Sequence, residues 1–126
     1  MSEHKTIEIK AFVPARNFER SLQFYADLGF SVEVLSDDMA YLWVDTSSFL
    51  LQRFYVREHA ENFMMHLLVP DVEVWWRHVV AQDLGAKYGV RVLPPEDRPW
   101  GIRDFCVDDP TGVLWRIGQV IEETPA

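Results

Sequence analysis

Two stretches of this chain begin and end with the same residues. Residues 13–29 read VPARNFERSLQFYADLG and residues 69–85 read VPDVEVWWRHVVAQDLG, so each opens with Val-Pro and closes with Asp-Leu-Gly. The second stretch lies 56 residues after the first at both ends. Self-similarity at a fixed offset is the sequence signature of a repeated structural unit. The chain of 126 residues is therefore predicted to fold as two similar halves.

Each repeated stretch predicts a helix. Apolar side chains recur at the three- and four-residue spacing that places them on one helix face. Gly29 and Gly85 stand where a helix is expected to end, and Pro14 and Pro70 precede each helix at the end of an extended segment. The predicted apolar faces consist of Phe18, Leu22, Tyr25 and Leu28 in the first helix and Val72, Trp75, Trp76, Val79 and Val80 in the second.

Segments with strand-like alternation flank both predicted helices. TIEIKAFV precedes the first helix, and FSVEVLS, MAYLWVD and SFLLQRFYV follow it. NFMMHLLV precedes the second helix, and YGVRVL, GIRDFCV and VLWRIGQVI follow it, with PPEDRPWG as a longer loop and DDPTG as a turn. This order predicts an α+β fold of two βαβββ modules, at about residues 5–57 and 62–121, within a single domain spanning 1–126.

Alternate residues of a strand point to opposite faces of a sheet. One face of each predicted strand is apolar and is expected to lie under the helices. Its residues include Ile7, Ile9, Ala11 and Val13, then Phe49 and Leu51, Phe63, Met65, Leu67 and Val69, Phe105 and Val107, and Val113, Trp115 and Ile117.

The opposite face mixes polar and aromatic side chains. Polar groups are costly to bury without partners, and a few of them among apolar walls are typical of a ligand cavity. The alternative is that this face meets water, but its aromatic content favours the cavity. The predicted cavity residues are Lys10, Tyr41, Trp43, Gln52, Phe54, His66, Trp100, Asp104, Cys106 and Arg116.

Charge and cysteine content exclude several classes of function. The net charge of −8 argues against nucleic acid and anionic lipid as partners. A single cysteine rules out an internal disulfide framework and suits a reducing compartment. The sequence has neither an apolar run of the roughly 20 residues that span a bilayer nor a secretory signal in MSEHKTIEIK. A soluble, cytoplasmic protein is expected.

The motifs resemble those of the vicinal-oxygen-chelate superfamily of glyoxalases, bleomycin-resistance proteins and extradiol dioxygenases. SLQFYADLGF and DDPTGVLWRIGQ carry the resemblance, which covers nearly the whole chain. RPWGIRDFCVDDPTGVLWRI and GFSVEVLSDDMAYLWVDTSSFLLQRF are most similar to the bleomycin-resistance branch. The resemblance implies two paired βαβββ modules around a cavity.

In metal-using members of that superfamily, four ligands line the cavity. The resemblance places the matching positions at Lys10, Gln52, Met64 and Arg116. Lysine and arginine offer no lone pair to a divalent cation at neutral pH, and methionine is too soft for the metals concerned. His66 on the same face would be a solitary imidazole, short of the three or four ligands that a site needs. The sequence therefore predicts neither a bound metal nor another cofactor.

Other candidate chemistry is weak. Ser21 is predicted to pack within its helix, and Asp108 and Asp109 to build a turn. Cys106 is expected to be a small buried hydrophobe, with a reactive thiol activated by Arg116 or His66 as the alternative. His66 is expected to orient a ligand, with a general base as the alternative. The remaining histidines are expected to be solvated in the N-terminal tail, a loop and an exposed helix face: His4, His59 and His78.

The favoured function is a bleomycin-resistance-like protein that sequesters an antibiotic or similar drug-like compound without catalysis. The resemblance implies a homodimer with ligand grooves between the subunits, Trp100 stacking on the compound and Asp104 holding a cationic tail. Lys10 and Arg116 also leave an anionic or oxygen-rich ligand open. The alternatives are a metal-dependent glyoxalase or dioxygenase, with ligands such as His66 plus Glu33 or Asp104, and a dimeric scaffold with a vestigial pocket.

Overall fold

The computed structural model describes residues 3–121, which form eight strands and four helices. In chain order these elements are β1 (Phe12–Pro14), α1 (Phe18–Leu28), β2 (Ser31–Ser36), β3 (Met39–Val44), β4 (Ser47–Gln52), α2 (Arg57–Glu61), β5 (Met64–Leu68), α3 (Val72–Ala81), α4 (Leu84–Tyr88), β6 (Val92–Asp97), β7 (Ile102–Asp108) and β8 (Leu114–Val120).

The strands form two four-stranded sheets with the same topology. The N-terminal sheet has the order β1-β4-β3-β2, and the C-terminal sheet has the order β5-β8-β7-β6. In each sheet the first strand pairs parallel with the last and the other pairs are antiparallel. The predicted α+β fold with two βαβββ modules is thereby confirmed.

Capping residues define where the two long helices begin. Asn17 accepts a hydrogen bond from the backbone N–H of Arg20 at 3.1 Å, and Asp71 accepts one from the N–H of Glu73 at 3.0 Å. These side chains satisfy N–H groups that have no partner inside the helix. Gly29 ends α1 with φ 126°, a value that favours glycine, as the repeat predicted.

The prediction that Gly85 ends the second helix is wrong. Helix α3 ends at Ala81, and Gly85 lies inside the short helix α4, which ends at Gly89 with φ 64°. A Cβ built at Gly85 would lie 3.4 Å from Val92 Cγ2. The second glycine of the repeat therefore allows close packing against β6.

Two predicted strands are shorter than the alternation suggested. Strand β1 covers only residues 12–14, so Ile7 and Ile9 are exposed and not part of the core. Its parallel partner β4 begins at Ser47, and Phe12 pairs with Leu50. The residues that precede Phe12 by more than three positions therefore have no β4 residue to pair with. Strand β4 also ends at Gln52, before the predicted RFYV segment.

The sixth strand lies further along the chain than predicted. Tyr88 belongs to α4, and β6 covers residues 92–97, including the first half of the segment expected to be a loop. Pro94 and Pro95 fit there because β6 is an edge strand with a register shift between Leu93 and Glu96. Proline cannot donate to a ladder and is confined to edges and bulges.

An aromatic cluster joins the two modules in the core. The Tyr25 ring lies 5.0 Å from that of Phe49 and 5.6 Å from that of Trp115, with centroids of Phe30 and Trp115 5.5 Å apart. Ser21 is buried beside them, as predicted, with its hydroxyl 3.4 Å from that of Thr111. The helix-side faces of both sheets thus share one hydrophobic core.

The second helix presents a narrower apolar face than predicted. Val72 and Val79 are buried, but Val80 is 57% exposed. His78, expected to face water, is half-buried and its Nε2 lies 2.7 Å from the carbonyl oxygen of Asp27. This contact links α3 to the end of α1, which only the packing of the two modules brings close.

Candidate functional site: the open faces of the two sheets

Each sheet has a face that points away from the core, here called its open face. Residues that share this face follow from strand alternation and register. On the N-terminal sheet they include Phe12, Ser31, Glu33, Met39, Tyr41, Trp43, Ser48, Leu50 and Gln52. On the C-terminal sheet they include Met64, His66, Leu68, Leu93, Ile102, Asp104, Cys106, Leu114, Arg116, Gly118 and Val120.

Aromatic rings dominate the open face of the N-terminal sheet. Tyr41 and Trp43 stack on β3 with centroids 5.3 Å apart and an interplanar angle of 21°. Phe12 is 50% exposed beside them on the same face, where it pairs in register with Leu50. This arrangement presents a flat apolar surface of the kind on which a planar ring can stack.

A hydrogen-bonded carboxylate lies over this surface. Glu8 Oε2 accepts bonds from the Tyr41 hydroxyl at 3.0 Å and the Ser48 hydroxyl at 2.6 Å. Lys10 forms an ion pair with Glu8, and its Nζ lies 5.7 Å from the centre of the Tyr41 ring. These contacts, with the Lys10 bond as the largest, lower the pKa of Glu8 to about 2. The Lys10 charge is therefore already matched.

Titration of Glu8 is expected to report these contacts. Its pKa is depressed from 4.5 to about 2, so their contribution to stability is present above pH 4.5 and is lost as the pH falls toward 2. An NMR titration of the Glu8 carboxyl carbon should give a midpoint near 2. Combined Tyr41→Phe and Ser48→Ala substitutions should move the midpoint upward. A midpoint of 4.5 in the unmodified protein would contradict the described contacts.

The open face of the C-terminal sheet is organised around a buried carboxylate. Asp104 is 1% exposed and accepts a 2.8 Å bond from Nε of Arg98, while Nη1 of Arg116 lies 3.3 Å from its Oδ2. Charged groups are rarely buried unless paired, and here two guanidinium groups share one carboxylate. The Asp104 carboxylate is therefore already paired with two arginines.

Arg98 was missed by the sequence analysis because it lay within the predicted loop. A buried Asp104 requires a cationic partner, and Arg98 is a nearby arginine in the chain. Alternation along β7 places Asp104 on the open face but says nothing about Arg98, which lies outside that strand. Glu8 was likewise missed, although it alternates with Lys10 on the same side of the N-terminal segment.

Cys106 lies between these charged groups but is shielded. It is buried, and burial raises the pKa of its thiol although Arg116 opposes the shift. A raised pKa suppresses the nucleophilic thiolate. The structure agrees with the expectation of a small hydrophobe, and Cys106 lies in register with Arg116 on one side and Leu93 on the other.

Two predicted site residues lie away from the charged centre. Trp100 is 62% exposed in the turn between β6 and β7, and Phe54 is 51% exposed beyond the end of β4. His66 is exposed on β5, in register with Arg116. His59, expected in a loop, is in α2 with its ring 5.2 Å from that of Phe63.

Two pockets at the junction of the modules involve other residues. One of 190 Å³ and one of 300 Å³ share Val44 and Trp75 in their linings. Neither lining contains a predicted site residue. Most of the predicted residues divide between the open faces of the two sheets, whereas Lys10, Phe54 and Trp100 lie outside the strands.

Comparison with known proteins places these features in a family. The sequence profile of the Glyoxalase/Bleomycin resistance protein/Dioxygenase superfamily matches residues 8–117. The chain belongs to this superfamily. No curated protein matches the chain in sequence.

Several solved structures have the same fold as this chain. A bleomycin-binding protein complexed with bleomycin superposes with a TM-score of 0.75 and 22% identity, covering 90% of this chain and 98% of that chain. The bleomycin-binding protein of Streptomyces verticillus, complexed with copper(II)-bleomycin, superposes with a TM-score of 0.73 and 21% identity. The match covers 94% of this chain and 100% of that chain. Lactoylglutathione lyase from Agrobacterium tumefaciens superposes with a TM-score of 0.69 and 13% identity. The match covers 93% of this chain and 96% of that chain. At these identities the likeness establishes the fold alone.

The positions that the resemblance assigns to superfamily metal ligands do not fit a divalent cation. Lys10 is paired with Glu8, Arg116 faces Asp104, and neither cationic side chain has a lone pair to offer. Across residues 3–121, no three His, Cys, Asp or Glu side chains are grouped so that they could hold a metal ion. Neither rival set, His66 with Glu33 or His66 with Asp104, therefore belongs to such a group within this range. No helix in the same range is long and apolar enough to cross a membrane.

Proposed function

We propose that this superfamily member binds an antibiotic or a similar drug-like compound and acts by sequestering it in the cytoplasm. Binding occurs in a groove that forms when the open faces of two copies come together. The whole chain, residues 1–126, acts as one domain, with modules at about 5–57 and 62–121. The protein performs no chemistry on its ligand and uses no metal.

The stacked Tyr41–Trp43 pair is the observation that carries this proposal. Two aromatic rings on an open sheet face, beside the half-exposed Phe12, are unusual for a surface that only meets water. Stacking of a planar group on such rings contributes about 0.5–1.5 kcal/mol beyond the burial of area. Gln52 and the Glu8–Lys10 pair supply polar contacts that orient a ligand on the same surface.

The need for a second copy follows from exposed apolar side chains. On the open face of the C-terminal sheet, Met64 is 56% and Leu68 is 54% exposed. Exposed apolar patches of this kind mark sites that another molecule covers. A homodimer would pair such faces and enclose a groove between them, with Trp100 at its margin.

The donor chemistry of the open faces supports binding over metal catalysis. Lys10, Gln52, Met64 and Arg116 occupy the positions that the resemblance assigns to ligands, and Cys106 is buried with a raised pKa. These groups can hold a molecule in place but offer neither a Lewis acid nor an activated nucleophile.

Tryptophan fluorescence titration with bleomycin and a panel of other antibiotics tests the proposal. At least one compound is expected to quench the fluorescence saturably with micromolar or tighter affinity, which corresponds to about −8 kcal/mol. Trp100→Ala is expected to weaken that affinity about tenfold, since 1.4 kcal/mol of lost stacking corresponds to a tenfold change. Trp75→Phe, at the junction of the modules, should leave affinity unchanged.

Three outcomes would count against this function. No saturable quenching by any compound would favour a scaffold with a vestigial pocket. Quenching that Trp100→Ala leaves unchanged would remove Trp100 from the groove. Near-stoichiometric zinc, iron or manganese in protein purified without chelator would favour the metal-dependent enzyme.

A further inference from the structure

We propose that the ligand carries an anionic oxygen group, such as a carboxylate or phosphate, and that Arg116 and His66 bind this group. The inference rests on the proposed function, since it concerns the same groove and specifies the chemistry of its ligand. It assigns the open face of the C-terminal sheet to the charged end of the ligand and that of the N-terminal sheet to its planar part.

Arg116 lies at the centre of the C-terminal sheet's open face. It is on β8, an interior strand, with His66 in register on one side and Cys106 on the other. Leu114 and Gly118 flank it along the strand. Its side chain is 29% exposed, so it already lies partly out of water before anything covers the sheet.

The charge of Arg116 is only loosely matched. The Asp104 carboxylate takes its short bond, 2.8 Å, from Arg98. Arg116 reaches the same carboxylate through Nη1 alone, at 3.3 and 3.4 Å, which is long for a charge-assisted hydrogen bond. Within residues 3–121 its Nε and Nη2 donate no hydrogen bond.

His66 adds unused hydrogen-bonding capacity next to this guanidinium. Its imidazole is exposed, and among the described residues neither ring nitrogen has a hydrogen-bond partner. Two Arg116 nitrogens and an imidazole N–H can together meet the oxygens of one carboxylate or phosphate. The planar guanidinium suits such groups because it can form two parallel hydrogen bonds.

Covering this surface favours an anionic partner for Arg116. A guanidinium that loses water without gaining an acceptor is strongly unfavourable, and the surrounding Met64, Leu68 and Leu114 provide none. Asp104 accepts its short bond from Arg98 and reaches only Nη1 of Arg116, so Nε and Nη2 would lose water without gaining an acceptor. The net charge of −8 repels anions at long range, but solvent ions screen that repulsion beyond about 8–10 Å, whereas the Arg116 contact is direct.

Three ring-matched probes test the assignment by calorimetric titration of the full-length protein: 1-naphthoate, 1-naphthamide and 1-naphthylmethylammonium. The naphthoate is expected to bind about tenfold more tightly than the amide, because a charge-assisted bond is roughly twice as strong as a neutral one. The ammonium compound should bind most weakly. Arg116→Gln should remove the preference for naphthoate, and Arg116→Lys should keep part of it.

Further variants separate recognition from general effects. Arg77→Gln removes one positive charge from the exposed side of α3 and should not change any affinity. His66→Ala, an exposed substitution, should reduce the naphthoate preference about threefold and tests the site even where Arg116→Gln perturbs the fold. Circular dichroism establishes the folded state of each variant.

Each contrary result has a distinct meaning. Equal binding of naphthoate and naphthamide overturns the anionic assignment and leaves the proposed binding function intact. Binding of none of the three probes overturns the assignment, and only the antibiotic titration then decides the wider function. If Arg116→Gln leaves naphthoate affinity unchanged but weakens the dimer in sedimentation, its anionic partner belongs to the second copy and the assignment is wrong.

Discussion

Asp109→Ala is expected to remove about 3–5 kcal/mol from the free energy of unfolding, because each buried donor left without an acceptor costs about 1–3 kcal/mol. Asp109 is 1% exposed, and its Oδ1 accepts hydrogen bonds of 2.8–2.9 Å from the backbone N–H groups of Thr111, Gly112 and Val113. Its Oδ2 accepts the hydroxyl of Tyr25. Alanine leaves all four donors without this acceptor.

The location of Asp109 makes the loss large. Tyr25 also accepts a 2.9 Å bond from the Trp115 indole, so the carboxylate fixes the polar centre of the aromatic cluster that joins the two modules. Burial raises the pKa of Asp109, opposed by the hydrogen bonds from Tyr25 and the turn. Domains of this size have a free energy of unfolding of only about 5–15 kcal/mol, so the substitution would remove a large part of it.

Urea denaturation followed by tryptophan fluorescence measures this loss. Asp109→Asn retains an acceptor for the turn but gives Tyr25 a donor in place of an acceptor, so it should cost less, about 1–3 kcal/mol. The matched control is Asp108→Asn, next in the chain, whose partner is the exposed Arg91; it should cost less than about 1 kcal/mol. Equal effects at the two positions would show that Asp109 has no special structural role.

The second large effect concerns binding. A Tyr41→Ala, Trp43→Ala double variant is expected to lose about 100-fold in affinity for the antibiotic that the titration identifies, about 2.8 kcal/mol at 1.4 kcal/mol per tenfold. The two rings stack 5.3 Å apart on the open face of the N-terminal sheet, so their removal eliminates the flat surface there. Isothermal titration calorimetry of wild type and variant gives the difference directly.

Two controls separate the ring surface from other effects of the double variant. Tyr41→Phe removes the hydroxyl bonded to Glu8 but keeps the ring, and should change affinity less than about threefold, because the lost hydrogen bond lies within the protein. Tyr55→Ala removes an aromatic ring that faces Arg16 and belongs to neither sheet, and should have no effect. Full affinity in the double variant would rule out the N-terminal sheet as the site of ring stacking.

Periodic features of the fold could be predicted from the sequence. The repeated stretches indicated both long helices, and alternation indicated which side of most strands is buried, as Phe49, Phe105 and Trp115 illustrate. Such features depend on neighbours two to four residues apart, so they are visible locally. The errors at Ile7, Ile9 and Gly85 arose where the length of a neighbouring strand or the packing of a second helix decided the outcome.

The candidate site was only partly predictable. Alternation indicated which residues face away from the core, including Tyr41, Trp43 and Arg116, but not which charges neutralise one another. Glu8 meets Tyr41 and Ser48 across 33 and 40 residues of chain, and no local pattern encodes that contact. Arg98 meets Asp104 around a turn whose extent the sequence did not indicate.

The sequence by itself therefore determined the duplicated βαβββ architecture and the division of each sheet into a core side and an open side. Only the tertiary structure decided that Asp104 is neutralised by Arg98 and that Arg116 retains unused donors. The physical reason is range: apolar periodicity repeats along the chain, whereas the pairing of individual charges depends on where distant segments meet.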